Sequence, residues 1–287
     1  MGDRLRVGYL GPEGTFTQAA ALRAPGASEL ELVPLPTIFD TVMAVSDGSI
    51  QRAVVPIENS IEGSVSATLD ALAIETEAVT IVGEVVVPIR QCLIVKEPVE
   101  LDQIEVVISH PQANAQCTRF LRTRLPQARV TTTSSTADAV RLVAEQDGTW
   151  AALGTELAAE RYGCLVLRAG VEDLAGNETR FVWLASSGTP PGVPGDPSPR
   201  GPWKTAIVFW GAGSDTPGWL VSCLGELAER GVNLTRIESR PRKLGLGRYM
   251  FFVDIEGRDS EPHVAAALLA LRQHVEVLRM LGSFPAA

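Results

Sequence analysis

Basic residues are scarce in this 287-residue chain: 25 Lys and Arg stand against 34 Asp and Glu, the formal net charge is −9, and there are only three histidines. Nucleic acid is therefore not expected as a partner, because phosphate binding needs a basic face and no Lys/Arg run supplies one. A small anion stays compatible, provided that helix N-termini and a few arginines make a locally donor-rich pocket. His110, His263 and His274 lack the H-E-x-x-H spacing of the commonest metal hydrolases. The four cysteines, Cys92, Cys117, Cys164 and Cys223, show no C-x-x-C pair and no nearby His, so neither zinc nor a disulfide framework is encoded. No metal is expected. Nowhere do about 18 uncharged apolar residues run together, and Met1 to Leu10 carry no basic region followed by a long apolar stretch. The expectation is a cytoplasmic protein with no membrane contact.

What is present is ordinary globular composition, 45% hydrophobic and 21% charged, over a length that suggests two domains. The segment 186–202, SSGTPPGVPGDPSPRGP, breaks the pattern and reads as a linker, since proline removes backbone donors and glycine raises the entropy of ordering. Before it, apolar β-branched runs alternate with helical patterns, beginning at Val7, Leu30, Ala53, Val79, Val106, Arg129 and Ala151. Such alternation predicts an α/β domain with parallel sheets covered on both faces. The expected boundaries are 1–185 for this domain, with one lobe formed by about 1–80 with 165–185 and the other by 81–164. After the linker, 203–287 reads strand, helix, strand, strand, helix, strand, the ferredoxin-like βαββαβ unit.

Ligands of open α/β sheets sit beyond the carboxyl ends of strands, so polar segments at strand ends are the candidate site. Each also has a plainer reading. Gly11-Pro12-Glu13-Gly14-Thr15-Phe16-Thr17 is a strand-to-helix turn in which Thr15 caps a helix or donates to an anion. In Pro56-Ile57-Glu58-Asn59-Ser60-Ile61-Glu62, Asn59 and Glu62 make a capping box, or else their donors face a cleft. Ser109-His110-Pro111-Gln112 ends another strand, with Gln112, Gln116 and Arg119 on one helical face. Ser135 and Asp138 fit an N-terminal capping pair beside Thr136. In Asn177-Glu178-Thr179-Arg180-Phe181, a regular strand puts Thr179 and Phe181 on one side and Arg180 on the other, so Thr179 and Arg180 both line a cleft only if the strand bulges.

Together GPEGTFT, PIENSIEGSV, SHPQANAQC, SSTADA and NETRF, in this order, resemble the prephenate dehydratase family over essentially the whole chain. The resemblance implies a two-lobed catalytic domain, periplasmic-binding-protein-like, with its site between the lobes, followed by an ACT regulatory domain. It implies loss of water and carbon dioxide from prephenate to give phenylpyruvate, in phenylalanine biosynthesis and without a cofactor. By the family's motifs Thr179 is catalytic, with Asn59, Ser109, Gln116, Thr15, Ser135, Thr136 and Arg180 as substrate-binding positions. Glu238, Ser239, Arg240 and Pro241 match the ESRP motif of these ACT domains. Gly218, Trp219 and Leu220 occupy the GALxxxL position, Trp219 standing where the family usually has alanine. With Asn233 and Leu234, these residues are the expected site for L-phenylalanine, between subunits of a homodimer or dimer of dimers.

Four alternatives stay open or are excluded on sequence grounds. An arogenate dehydratase differs only in a substrate amine, and Ala185, beyond the TRF strand, is near enough to influence that choice. A non-catalytic ligand-binding sensor shares the two-lobed architecture. A dinucleotide site at Gly211-Ala212-Gly213 fails on spacing, since the next glycine is Gly218 beyond Pro217. A fused chorismate mutase is not expected, because the first strand begins within a few residues of Met1.

Overall fold

The computed structural model describes residues 4–196, 201–211, 213 and 215–287. The first lobe contains strands β1 (Leu5–Leu10), β2 (Leu30–Leu35), β3 (Arg52–Asn59), β4 (Gly63–Ser64) and β5 (Val79–Pro88). Helices α1 (Phe16–Ala21), α2 (Ile38–Ser46) and α3 (Ser66–Asp70) cover them, α3 continuing into a wider π-type turn at Ala71–Glu75. The second lobe runs β6 (Cys92–Val95), β7 (Val106–Ser109), α4 (Pro111–Gln116), α5 (Thr118–Arg124), β8 (Arg129–Thr132), α6 (Thr136–Glu145), β9 (Trp150–Gly154), α7 (Glu156–Tyr162) and β10 (Leu165–Ala169). Strand β11 (Glu178–Ser186) returns to the first lobe. The C-terminal domain follows as β12 (Trp203–Trp210), α8 (Trp219–Ala228), β13 (Leu234–Pro241), β14 (Tyr249–Glu256), α9 (Pro262–Leu271) and β15 (Val277–Pro285). Among the described residues no helix is long and apolar enough to cross a membrane.

Three sheets result, in the orders β2-β1-β3-β11-β5 with β4 beside β3, β10-β6-β9-β7-β8, and β13-β14-β12-β15. The expected parallel sheets prove to be mixed. β1 runs parallel to β2 and β3, and β7 to β8 and β9, but β11 is antiparallel to both β3 and β5, and β6 to both β9 and β10. The cause is the double crossing: β5 leaves the first lobe, and the strand that re-enters beside it must run the other way. The lobe boundaries shift for the same reason. β5 pairs with β11 from Val79 to Pro88, which keeps 81–88 in the first lobe, and β10 pairs with β6, which moves 165–169 into the second.

Part of the expected linker is packed. Ser186 ends β11, Gly192 N–H donates to Val82 O, and Gly26 N–H to Pro194 O. Residues 197–200 of that linker, and Ala212 of the Gly211–Gly213 turn, lie outside the described residues.

The third sheet is apolar on both faces because its strands alternate between two partners. Ile207, Phe209, Val253 and Ile255 pack under α8 and α9, whereas Ala206, Val208, Met250 and Phe252 join Ile81, Val182 and Leu184 in a core continuous with the first lobe. Arg279 seals that seam, donating to the carbonyls of Leu72, Ala73 and Thr76 at the open end of the α3 turn.

Candidate active site

A cavity of about 850 Å³ lies between the two lobes, where β1, β3, β7 and β11 end or begin. From the first lobe Thr15, Asn59, Thr179 and Phe181 line it; from the second, His110, Gln112, Gln116, Ser135, Thr136 and Asp138; and from the crossover, Ile89 and Gln91. No Lys or Arg lines it among the described residues.

Asn59 and Thr179 face each other across the β3–β11 ladder. The Asn59 side-chain oxygen accepts the backbone N–H groups of Ile61 and Glu62, both at 3.0 Å, so its amide orientation is set by the turn it caps. Its Nδ2 must then face inward, where it donates to Thr179 Oγ1 and to Asn177 Oδ1, both at 2.8 Å, with Glu178 O further off at 3.1 Å. A threonine oxygen that accepts an N–H keeps its own proton for another partner. Thr179 is thereby an oriented donor on the cavity wall. The capping-box reading is corrected to a turn cap, since residues 60–62 turn into β4 and start no helix, while the amide nitrogen lies on the cavity wall.

Three helices begin at the cavity. Thr15 caps α1, accepting Gln18 N–H while donating to Leu10 O; His110 Nδ1 caps α4 through Gln112 N–H; and Ser135 caps α6 through Asp138 N–H. These positive ends and neutral donors favour an anion without placing a cation against it. With Nδ1 accepting, a neutral His110 carries its proton on Nε2. Asp138 is the acidic exception. Its partial burial works to raise its pKa, but hydrogen bonds from Thr133 and Arg141 prevail and hold it below the ordinary value.

Two expected substrate contacts are corrected. Ser109 is fully buried, and its hydroxyl donates to Leu153 O at 2.6 Å inside the sheet, bonding β7 to β9 and not a ligand. Arg180 faces away from the cavity, as regular alternation demands. Its guanidinium meets Glu58, Glu84 and Asp254 on the reverse side of β11. The ladder does shift register between Arg180 and Phe181, but the extra residue, Ile57, is on β3, so Thr179 and Phe181 still share the cavity face. Ala185 is also remote, fully buried beside Val54 and Trp183 in the core.

In the C-terminal domain Gly218 caps α8 at φ 86, and the Trp219 indole lies over Phe209 and Phe251, its Nε1 donating to His274 O at 2.7 Å. Leu220 and Leu234 are partly buried, while Asn233, Ser239 and Pro241 are exposed. Glu238 and Arg240 share a face of β13. Arg240 reaches the first lobe, gripping Asp70 with two bonds of 2.8 and 3.0 Å and also Ser66, so it is committed within this chain.

Sequence reasoning missed Asn177 and Gln91. Asn177, 3% exposed, takes the second Asn59 bond, donates to Gln116 Oε1 at 3.4 Å across the cleft, and accepts Ile89 N–H at its carbonyl. Its place before a strand reads as a turn, which conceals this. Gln91 lines the crossover with its backbone N–H on Glu172, and no motif marks it.

Residues 7–189 match the model of the prephenate dehydratase family, and residues 212–273 that of the ACT domain. A prephenate dehydratase of Amycolatopsis methanolica is 42% identical over 98% of this chain and 89% of its own. The crystal structure of an Arthrobacter aurescens prephenate dehydratase in complex with L-Phe is 37% identical with a TM-score of 0.86, covering 98% of this chain and 90% of that one. A structure described as a novel type of quorum quenching acylase is 31% identical with a TM-score of 0.84, covering 98% of both chains.

Proposed function

The chain belongs to the prephenate dehydratase family, and from that membership we propose that it converts prephenate to phenylpyruvate, carbon dioxide and water under control of L-phenylalanine. Thr179 supplies the hydrogen bond that the departing ring hydroxyl needs. Hydroxide is a poor leaving group, and a donor aimed at it stabilises the charge that grows on oxygen as the C–O bond lengthens. Acceptance of the Asn59 amide polarises the Thr179 O–H and makes it a stronger donor. As the ring carboxylate leaves as carbon dioxide, its C–C electron pair enters the ring, completing aromaticity while the C–O pair departs. A solvent proton, relayed by the threonine, turns hydroxide into water.

The lining favours this order of events. Carboxylates held by amides, hydroxyls and helix N-termini are bound without the tight ion pair that would stabilise the ground state more than the transition state. The observation that carries the reading is the 2.8 Å bond from Asn59 to Thr179, which occupies a lone pair of that hydroxyl and leaves its proton to be donated to a ligand. Purified protein incubated with prephenate at neutral pH should release phenylpyruvate. No release would overturn the proposal, and faster turnover of arogenate would reassign the substrate.

Amide hydrolysis is the second reading, favoured by the backbone shared with the quorum-quenching acylase. It would need a base to take the Thr179 proton, and the partner found beside that hydroxyl is an amide N–H donor, which has no lone pair to receive it.

L-phenylalanine is proposed to act at paired C-terminal domains of a homodimer or dimer of dimers, in a cytoplasmic enzyme. The relative described in complex with L-Phe supports the effector, and exposed Val221 on α8 and Leu269 on α9 supply apolar surface for association. Because the Trp219 indole is anchored on Phe209, Phe251 and His274 inside its own domain, its added bulk need not fill a site between subunits. Calorimetry should detect phenylalanine binding, and absence of heat at millimolar concentration would reject this role.

A further inference from the structure

The ladder that pairs Asn59 with Thr179 pairs the preceding Glu58 with the following Arg180. One pair faces the cavity and the other the C-terminal domain. There Glu58 and Arg180 meet Arg236 of β13 and Asp254 of β14 in a closed ring of alternating charge. Arg180 contacts Asp254 directly, Arg180 Nη1 lies 3.6 Å from Glu58 Oε2, Arg236 Nε lies 3.8 Å from the same oxygen, and Arg236 Nη1 lies 3.9 Å from Asp254 Oδ2. Arg236 also donates to Ser64 Oγ on β4 at 2.8 Å. The side chains of Arg180, Arg236 and Asp254 are 10%, 6% and 3% exposed.

We propose that Glu58, Arg180, Arg236 and Asp254 are positioning residues, through which the C-terminal domain holds the Asn59–Thr179 pair in working geometry. The backbone alone holds it weakly on the β3 side. β11 begins at Glu178 and the β3 register slips after Arg180, so the two pairs stand between a strand end and a bulge. On the reverse face the hydrogen bonds Arg180–Asp254 and Arg236–Ser64, with the ion pairs of both arginines to Glu58 at 3.6 and 3.8 Å, supply the missing constraint. With Glu84, which meets Arg180 on the same face and pairs with Lys204, the cluster balances three cations and three anions, so loss of Arg236 leaves a net negative charge beside the buried Asp254 and shifts its partners. Burial works to lower the Arg180 pKa, but Asp254, Glu84 and Glu58 outweigh it and raise it, so the guanidinium stays charged.

Arg236→Gln in the full chain tests this, with Arg279→Gln as the control. Arg279 bridges the same two domains through the carbonyls of Leu72, Ala73 and Thr76 and an ion pair of 3.9 Å to Glu77, away from the ring. Arg236→Gln should lower kcat on prephenate about tenfold with KM within about twofold, and Arg236→Lys should recover most of the loss, whereas Arg279→Gln should lower Tm and leave kcat within about twofold. In NMR spectra the Asn59 side-chain amide, assigned by its loss in Asn59→Asp, should shift in Arg236→Gln and stay in place in Arg279→Gln. Unchanged kcat in folded Arg236→Gln, or equal losses in both variants, overturns the ring. The activity arm rests on the dehydratase reading, but the amide arm does not: an unmoved Asn59 signal defeats the ring whatever the substrate.

Discussion

The first-lobe wall of the cavity is braced from behind and the second-lobe wall is not. Asn59 and Thr179 stand on strands whose reverse faces carry the charge ring and a core shared with β12, β14 and β15. The bonds to the C-terminal domain described above all have their other end in the first lobe. The second-lobe wall meets the first through ties at its margins: Thr155 Oγ1 donates to Gly14 O at 2.6 Å, Tyr162 Oη donates to Glu13 O at 3.1 Å, Arg161 pairs with Glu13, and Asn177 Nδ2 donates to Gln116 Oε1 at 3.4 Å. The difference teaches a division of labour. The oriented donor sits on the braced side together with the α1 cap, and the α4 and α6 caps sit on the side with fewer ties.

The largest expected effect breaks the rigid side. Asn59→Asp keeps an oxygen for the Ile61 and Glu62 N–H groups but replaces the donor to Thr179 by an acceptor, so the threonine proton turns away from the cavity. Turnover should fall by about two decades, as for Thr179→Ala, the scale of removing a general acid or oxyanion donor. Equal turnover in Asn59→Asp would show that the hydroxyl's direction is irrelevant. Next comes the tie between walls. Gly14 has φ +85, and a Cβ there would meet Ala158 Cα at 2.8 Å, so only glycine lets α7 approach the Gly11–Thr17 turn. Gly14→Ala should reduce kcat/KM about tenfold by holding the lobes apart, a misplacement cost of the kind that remote substitutions impose. Small-angle scattering would check the spacing.

Smaller effects should separate structure from chemistry. Ser109→Ala removes a buried hydrogen bond and should cost about 1 kcal/mol in denaturant unfolding, with kcat unchanged. A large drop in kcat would return Ser109 to the site. The smallest effect concerns acid. Partial burial works to raise the Asp70 pKa, but bonds from Arg240 and Lys243 prevail and hold it below its ordinary value of 3.8. A depressed carboxylate contributes stability that is present above the unfolded pKa and lost as pH falls through the lower folded one. Asp70→Asn should therefore flatten the Tm-versus-pH curve only below about pH 4, leaving its shape near neutrality unaltered.

Much of this was legible from alternation alone. The opposed roles of Thr179 and Arg180 follow from the period of a strand, and the βαββαβ order of the C-terminal domain from its apolar periods. What sequence could not decide was direction. Ser109 ends a strand at the cleft, yet its hydroxyl turns into the sheet, because a strand end does not say which neighbour a short side chain meets. β10 was assigned to the wrong lobe because its pairing with β6 spans some seventy residues that local pattern cannot bridge. The charge ring was invisible for the same reason: Arg180 and Asp254 lie 74 positions apart, and nothing near either names the other.

The seam beneath the third sheet also bears on modularity. Met250, Phe252, Leu281 and Phe284 are packed against Ile81, Val182 and Leu184, so the C-terminal domain is not a cassette that can be exchanged between enzymes. A foreign domain grafted after β11 would have to carry those side chains to close the first lobe's core.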